Sequence, residues 1–185
     1  MSEENVKKGK TFTLKIVIPV LILCIVAGIW FVKNSQNESV NIESNDIEDV
    51  NPDFALHVTE ELDLEQLKSY GVPIIIDFGA DSCIPCKEMA PVLKKLNEDL
   101  RGKAIVKFVD VWKYQSLTEG YPISVIPTQV FFDKDGKPYT PTDPQAANMN
   151  MYAMKDTNEH IFTTHEGGMT EEMILAALKE MGLDD

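Results

Sequence analysis

The sequence predicts an α/β domain, a mixed central sheet flanked by helices, preceded by one transmembrane helix. Two observations carry this prediction: a long apolar run near the N-terminus, and short β-rich runs that alternate with helical patterns further along the chain. The chain has 185 residues, which is enough for one domain of ordinary size behind such a helix.

The apolar run over residues 16–32 predicts the membrane-spanning helix. No ionisable side chain interrupts it except the thiol of Cys24. A helix needs about 20 apolar residues to cross a bilayer, with a lower limit near 17, and Phe12 extends the run if Lys15 snorkels to the headgroups. We therefore expect an uncleaved anchor over residues 12–32.

The charges around this run predict its orientation. Lysines precede the run, whereas the chain beyond it is acidic. The positive-inside rule therefore places residues 1–11 in the cytoplasm and the later domain outside, held in the cell membrane by a single pass. A cleavable signal peptide is the main alternative, but the apolar run continues past its small-residue site near Ala27. Lipidation at Cys24 is disfavoured by the neighbouring Leu23, and Cys24 is interpreted as an apolar membrane side chain.

Residues 33–53 have the composition of an acidic linker. Over residues 34–53 there are Asp and Glu side chains but no Lys or Arg, and few large apolar groups are available for burial. We expect an extended, mobile tether. The formal net charge of the whole chain is -13, which argues against nucleic acid as a partner because phosphate binding needs clustered cations.

Residues 54–185 have the pattern of a globular domain. Thr59 is the expected N-cap of a first helix that ends at Gly71, and residues 72–79 form a short apolar strand. We expect the later elements in this order: a helix over 86–100 with a kink at Pro91, a strand over 104–111, a short helix over 114–120, a strand over 125–132 with a turn at 133–136, an insertion over about 138–164 with one or two short strands, and a final helix over 169–181 capped by Thr170.

Cys83 and Cys86 follow the first predicted strand and open the helix after it. Unpaired backbone N–H groups at a helix start stabilise a thiolate, so Cys83 is expected to attack. Cys86 lies one turn along the same face and is expected to resolve the mixed disulfide. A Cys-x-x-Cys pair in this position predicts thiol–disulfide exchange, and the sequence has no second cysteine pair to complete a zinc site.

The motifs around these cysteines resemble those of the thioredoxin family. The resemblance covers roughly residues 58–185 apart from the insertion, and its motifs stand at matched intervals. The matching segments are residues 72–91 at the active site, 106–110 in the next strand, 125–128 at the cis-proline, and 134–136 and 167–168 in the later hairpin and last strand.

The resemblance implies a role for four residues of the reacting centre. Cys83 is the exposed nucleophile, and Cys86 is the buried resolving thiol. Asp77 matches the family's buried carboxylate, which accepts and returns the proton of the second cysteine, and burial is expected to raise its pKa toward the working range. Lys107 matches the lysine that lies near that carboxylate.

The resemblance also implies that Ile84, Pro85, Ile126 and Pro127 meet the substrate. Pro127 matches the cis-proline, whose loop lies against the disulfide and pairs with the substrate backbone. The sequence departs from the family at Ser82, where thioredoxin has a tryptophan, and in an Ile-Pro dipeptide that replaces Gly-Pro. Pro85 and Ile126 favour a reductant, since strongly oxidising relatives usually place a histidine in the dipeptide.

These features predict an extracytoplasmic thiol–disulfide oxidoreductase that reduces or exchanges protein disulfides. The expected partners are exported proteins with disulfides and a membrane thiol carrier as electron donor, and neither a cofactor nor a metal is expected. Two alternatives stay open. One is an oxidase that forms disulfides in exported proteins. The other is a metal or cofactor delivery module in cytochrome assembly with His165 as a ligand, although the cysteine spacing is wrong for it; otherwise His160 and His165 are interpreted as surface or packing residues.

Overall fold

A computed structural model describes residues 51–145 and 147–184. The predicted cytoplasmic segment, the anchor and most of the acidic linker lie outside the described residues and stay predictions. Within the described residues, no helix is both long and apolar enough to cross a membrane.

Six strands form one mixed sheet with the order β1-β3-β2-β4-β6-β5. The first three strands run parallel, β4 is antiparallel to β2, and β6 is antiparallel to both β4 and β5. This is the mixed central sheet that the sequence predicts. The strands are β1 (His57–Val58), β2 (Ile74–Gly79), β3 (Ile105–Asp110), β4 (Thr128–Phe132), β5 (Met149–Ala153) and β6 (His160–Glu166). The helices are α1 (Leu64–Lys68), α2 (Ile84–Asp99) and α3 (Glu171–Glu180). Two 3-10 turns lie at Pro52–Phe54 and Gln115–Thr118.

Apolar side chains cover both faces of the sheet. On one face, α2 and α3 pack against β2, β3 and β4 through side chains such as Leu93 and Leu178. On the other face, Leu67 of α1 packs against Ile76 and Phe132. Complete burial of one such side chain contributes roughly 1.5–3 kcal/mol, so both layers hold the central strands in place.

The first helix is shorter than the sequence predicts, and the predicted cap at Thr59 is wrong. Residues just before Thr59 form β1, which pairs with β3, so the chain is still extended there. Asp63 caps α1 instead, because its carboxylate accepts the backbone N–H of Gln66 at 3.0 Å. The final helix agrees with its prediction, since the Thr170 side chain accepts the backbone N–H of Met173.

The segment over residues 138–164, predicted as an insertion, contains β5 and most of β6. β6 continues to Glu166 and pairs with β4 inside the sheet, whereas β5 is the outer strand. The exposed side chains Met151 and Met154 lie on or beside this edge strand. Because β5 buries little on either face, its sequence carries no strong two-residue period.

Residues at the predicted domain boundary, near Phe54, have contacts within the domain. The Tyr70 hydroxyl donates to the Asp53 carboxylate at 2.7 Å. The buried amide of Asn97 donates to the carbonyls of Phe54 and Val106, both at 2.9 Å. These contacts attach residues 53 and 54 to the segment after α1 and to α2.

Replacing Asp63 with Ala is expected to destabilise the domain by about 1 kcal/mol, because the first turn of α1 loses its cap. Thr59→Ala is the matched control and is expected to change the free energy of unfolding by less than about 0.5 kcal/mol. Urea unfolding followed by circular dichroism measures both. An equal loss in the two variants would contradict the assignment of the cap.

Candidate active site

The ends of three strands bring the site together at one edge of the sheet. β2 ends at Gly79 beside the end of β3 at Asp110, and Phe78 pairs with Thr128 at the start of β4. The loop after β2, the loop after β3 and the loop before β4 therefore meet at the same edge. They carry the cysteines, Trp112 and Pro127 respectively.

Cys83 and Cys86 are joined by a disulfide, with 5.3 Å between their Cα atoms. Cys83 is partly exposed, whereas Cys86 is only 2% exposed. A bulky partner can therefore approach the sulfur of Cys83 and not that of Cys86. This difference suits Cys83 to attack and Cys86 to resolve.

Cys83 is also the N-cap of α2. Its sulfur accepts the backbone N–H of Cys86 at 3.4 Å, and its carbonyl accepts the backbone N–H of Lys87 at 3.1 Å. In the reduced form, the same N–H group and the positive end of the helix dipole face the sulfur of Cys83. Both favour the thiolate over the thiol.

Asp110 connects the two loops on this side of the site. Its carboxylate accepts the backbone N–H groups of Asp81, Trp112 and Lys113, at 3.0 to 3.1 Å. Burial alone would raise the pKa of Asp110, but these hydrogen bonds keep it below its usual value. The cysteine loop and the Trp112 loop are therefore held by one ionised side chain.

The loop before β4 contains a cis peptide bond between Ile126 and Pro127. The Thr128 hydroxyl donates to the carbonyl of Val125 at 2.7 Å, and the Gly167 N–H donates to the carbonyl of Pro127 at 2.8 Å. Pro127 is buried, whereas Ile84 and Pro85 on the cysteine loop are exposed. The four residues predicted to meet substrate thus lie on two loops at the same edge of the sheet.

Asp77 lies in the middle of β2 and is completely buried. Burial raises the pKa of its carboxyl group from 3.8 to about 7, although a hydrogen bond from Gln129 opposes part of this rise. A Cβ atom added at Gly79 would lie 3.3 Å from Asp77 Oδ2 and 3.2 Å from Cys86 Sγ, so both atoms border one small gap. The carboxyl group therefore lies on the same face of the sheet as Cys86 Sγ, with Gly79 between them.

The predicted contact between Lys107 and Asp77 is wrong. In the parallel pairing of β2 with β3, Lys107 lies opposite Ile76, and Phe108 lies opposite Asp77. Neighbouring residues of a strand point to opposite faces, so Lys107 points away from the carboxyl group. Its ammonium group donates instead to the carbonyls of Pro52 and Ala55, at 2.9 and 2.8 Å.

A buried polar row, which the motifs around the cysteines do not predict, crosses three strands beside Asp77. Asp77 pairs with Gln129 of β4, and Gln129 pairs with His165 of β6. Gln129 Nε2 donates to Asp77 Oδ1 at 2.7 Å, and Gln129 Oε1 lies 3.0 Å from His165 Nδ1. One signal was available: Gln129 is a large polar side chain in a short strand whose later residues are all apolar.

The histidines do not form a metal cluster with the cysteines. Within residues 51–145 and 147–184, no group of three or more His, Cys, Asp or Glu side chains is arranged to hold a metal ion. His165 is a buried side chain of the polar row, and His160 Nε2 lies 2.8 Å from the Thr163 hydroxyl. Both histidines therefore have contacts within the domain.

Comparison with known proteins identifies the family. The family model named Thioredoxin matches residues 55–155. A thioredoxin from Mycoplasmoides gallisepticum is 37% identical over 81 residues, which cover 44% of this chain and 79% of that protein. The chloroplastic thioredoxin Y from Oryza sativa subsp. japonica is 39% identical over 74 residues, 40% of this chain and 44% of that protein. This chain thus spans less than half the length of the plant relative.

One solved structure is similar to this chain. It is a mutant thioredoxin from Halobacterium salinarum NRC-1, with a TM-score of 0.49 and 24% sequence identity. The alignment covers 73% of this chain and 96% of that chain.

The stability of the oxidised protein is expected to fall between about pH 4 and pH 7 because of Asp77. Its folded pKa lies above its unfolded value, so the folded state keeps a proton that the unfolded state has lost. The loss amounts to about 4 kcal/mol once both states are ionised. Asp77→Asn should remove this dependence, so the variant should match the parent at pH 4 and be more stable at pH 8.

Guanidinium unfolding at a series of pH values measures this difference. Asp110→Asn is the control with the opposite sign, since the pKa of Asp110 is lowered and its ionised form stabilises the fold. A constant difference between parent and Asp77→Asn at all pH values would contradict the raised pKa.

Proposed function

This chain belongs to the thioredoxin family, and we propose that it is a membrane-anchored, extracytoplasmic member that reduces or exchanges disulfides of exported proteins. Its thioredoxin homologues indicate a thiol–disulfide oxidoreductase. The observation that carries the proposal is the disulfide between partly exposed Cys83 and buried Cys86 at the start of α2.

The proposed reduction has two steps. The Cys83 thiolate attacks one sulfur of a client disulfide, forms a mixed disulfide and releases the other client sulfur as a thiolate. Asp77 accepts the proton of Cys86, and the resulting thiolate attacks Cys83 Sγ and releases the second client sulfur. The client gains two electrons, and the enzyme is left with the Cys83–Cys86 disulfide.

A thiol donor must then reduce the enzyme again. By the same chemistry in reverse, a dithiol of lower potential attacks the disulfide and leaves as a disulfide itself. Outside the cytoplasm, the donor that fits this requirement is a membrane thiol carrier that passes electrons across the bilayer. Exported proteins with disulfides are the proposed clients.

The surface around Cys83 fits an apolar segment of such a client. Ile84 is 71% exposed, Trp112 is 64% exposed and Val125 is 49% exposed. Trp112, Val125 and Ile126 line one groove of about 320 Å³ beside the cis-proline loop. Large apolar side chains rarely stay exposed together without a binding role. We therefore assign client contact to this surface together with Pro85 and Pro127.

The location rests on the N-terminal sequence. The apolar run and the lysines before it favour a single-pass anchor with its N-terminus in the cytoplasm. A disulfide-exchanging domain on the outer side would act where disulfides persist.

A reduction potential of about -270 mV is expected for the Cys83–Cys86 pair of the full chain, the value for a reductant of this fold. Equilibration of the purified protein with glutathione redox buffers measures it, in a Cys24→Ser background that leaves only the two site cysteines. A potential of about -120 mV would instead assign an oxidase.

The matched control for this measurement is Cys83→Ser in the same background, which cannot form the disulfide. If the parent forms no reversible disulfide, thiol–disulfide exchange is excluded, and binding of a metal or a cofactor becomes the leading function.

A membrane-impermeant maleimide is expected to label Cys83 in intact cells. The variant for this test carries Cys24→Ser and Cys86→Ser, so Cys83 is its one remaining cysteine. A second variant, with Ser2→Cys and all three native cysteines replaced, should be labelled only after the membrane is permeabilised. The reverse pattern would place the domain in the cytoplasm and overturn the proposed location.

A further inference from the structure

When Asp77 is ionised, its carboxylate only accepts, so the hydrogen bonds of the buried polar row beside the disulfide run in one direction. The side-chain NH2 group of Gln129 faces two acceptors, Asp77 Oδ1 at 2.7 Å and Met89 Sδ at 3.7 Å. Rotating the amide by half a turn would place its carbonyl oxygen against both of these acceptors. With Asp77 ionised, the amide oxygen faces His165 Nδ1 at 3.0 Å, and that nitrogen carries the hydrogen that it donates.

The direction of the row decides which oxygen of Asp77 can carry a proton. Oδ1 is occupied as an acceptor by the Gln129 amide. Oδ2 is buried and has no hydrogen-bond partner among the described residues. Oδ2 is also the oxygen that borders the gap shared with Cys86 Sγ beside Gly79. The proton of Asp77 thus belongs on the side of the carboxyl group that faces the resolving cysteine.

We propose that His165 is a positioning residue of the redox site: through Gln129, it holds Asp77 so that Oδ2 exchanges its proton with Cys86. His165 is 4% exposed and lies on the sheet face that α2 covers, where it pairs with Gln129 on one side and with Met149 on the other. This inference rests on the proposed function, because it assigns a role within the same proton transfer.

Hydrogen bonds, and not nearby charges, hold Asp77 in place within the row. Within the described part of the chain, the pKa of Asp77 responds to burial and to Gln129, and no charged side chain contributes. Cys86 faces it from α2 and Phe108 from β3, while Lys107 points to the opposite face of the sheet. Burial lowers the pKa of His165, whereas a hydrogen bond to the Gly167 backbone and the charge of Glu166 oppose this effect. The neutral imidazole carries a single N–H group, and the proposal requires that hydrogen on Nδ1, facing Gln129.

Loss of the His165 donor frees the amide of Gln129. The amide can then turn its oxygen toward a protonated Asp77, which stabilises the protonated form. The ionised form of Asp77 then loses the hydrogen bond that Gln129 donates to it. The pKa of Asp77 is expected to rise by about one unit in His165→Phe, the size of one hydrogen bond. At pH 7, the fraction of Asp77 able to accept the Cys86 proton then falls about five-fold.

The test follows the resolving step in the full chain, with Cys24→Ser as the background. The reduced protein reacts with excess 5,5′-dithiobis(2-nitrobenzoate). Attack by Cys83 releases one thionitrobenzoate, and resolution by Cys86 releases a second. The rate of the second release, measured against pH, should move about one unit to higher pH in His165→Phe. His165→Asn retains a donor near the Nδ1 position and should stay close to the parent.

A double-mutant cycle separates positioning from general damage. Because His165 acts through Gln129, adding His165→Phe to Gln129→Leu should shift the profile no further. Thr164→Val is the matched control on the same strand, since the buried Thr164 hydroxyl has no hydrogen-bond partner among the described residues. An unchanged profile in His165→Phe, or an equal shift in both backgrounds, would overturn the proposal.

A measurement on the unmutated side chains covers the case in which His165→Phe does not fold. Nitrogen NMR of the labelled imidazole is expected to find the hydrogen of His165 on Nδ1, and a hydrogen on Nε2 alone would overturn the proposal. If the parent releases no second thionitrobenzoate, disulfide exchange itself fails. If the parent releases the second thionitrobenzoate and His165→Phe shifts the profile equally in both backgrounds, only the role of His165 fails.

Discussion

The burial of one carboxyl group between the sheet and α2 constrains the rest of the site. Transfer of an ionised carboxylate into apolar surroundings is costly, so a group held at Asp77 must stay protonated or receive hydrogen bonds. The structure supplies one donor, from Gln129, and no neutralising cation among the described residues. The pKa therefore settles at about 7, where both protonation states are populated. A stronger partner would have made the group a permanent anion.

The packing around Asp77 explains residues that carry no reactive group. Gly79 leaves the gap between the carboxyl group and Cys86, because a side chain there would meet Phe108, Cys86 and Asp77. Phe108 occupies the position on β3 directly opposite Asp77 and keeps that side of the carboxyl group apolar. Close packing and a raised pKa are thus two consequences of the same arrangement.

The outer part of the site depends on loops that the sheet holds in register. Asp110 fixes the cysteine loop and the Trp112 loop with three backbone hydrogen bonds, and Gly167 supports the cis-proline loop. Ser82 stands where a tryptophan is usual in the family, yet Trp112 presents an exposed indole on the adjacent loop. The surface beside the disulfide therefore has an exposed aromatic side chain without a tryptophan next to Cys83.

Much of this structure could be predicted from the sequence alone. The strand before Cys83, the helix that contains Cys86 and the turn at residues 133–136 follow from local periodicity and turn chemistry, and the family motifs add Asp77 and Pro127. The side-chain contacts across the sheet could not be predicted in this way. Lys107 and Phe108 differ by one position, and that single step decides which of them faces Asp77. The row from Asp77 through Gln129 to His165 joins strands that are far apart in the chain. Local patterns report which face of a strand is apolar, but only strand register determines which side chains meet across a sheet.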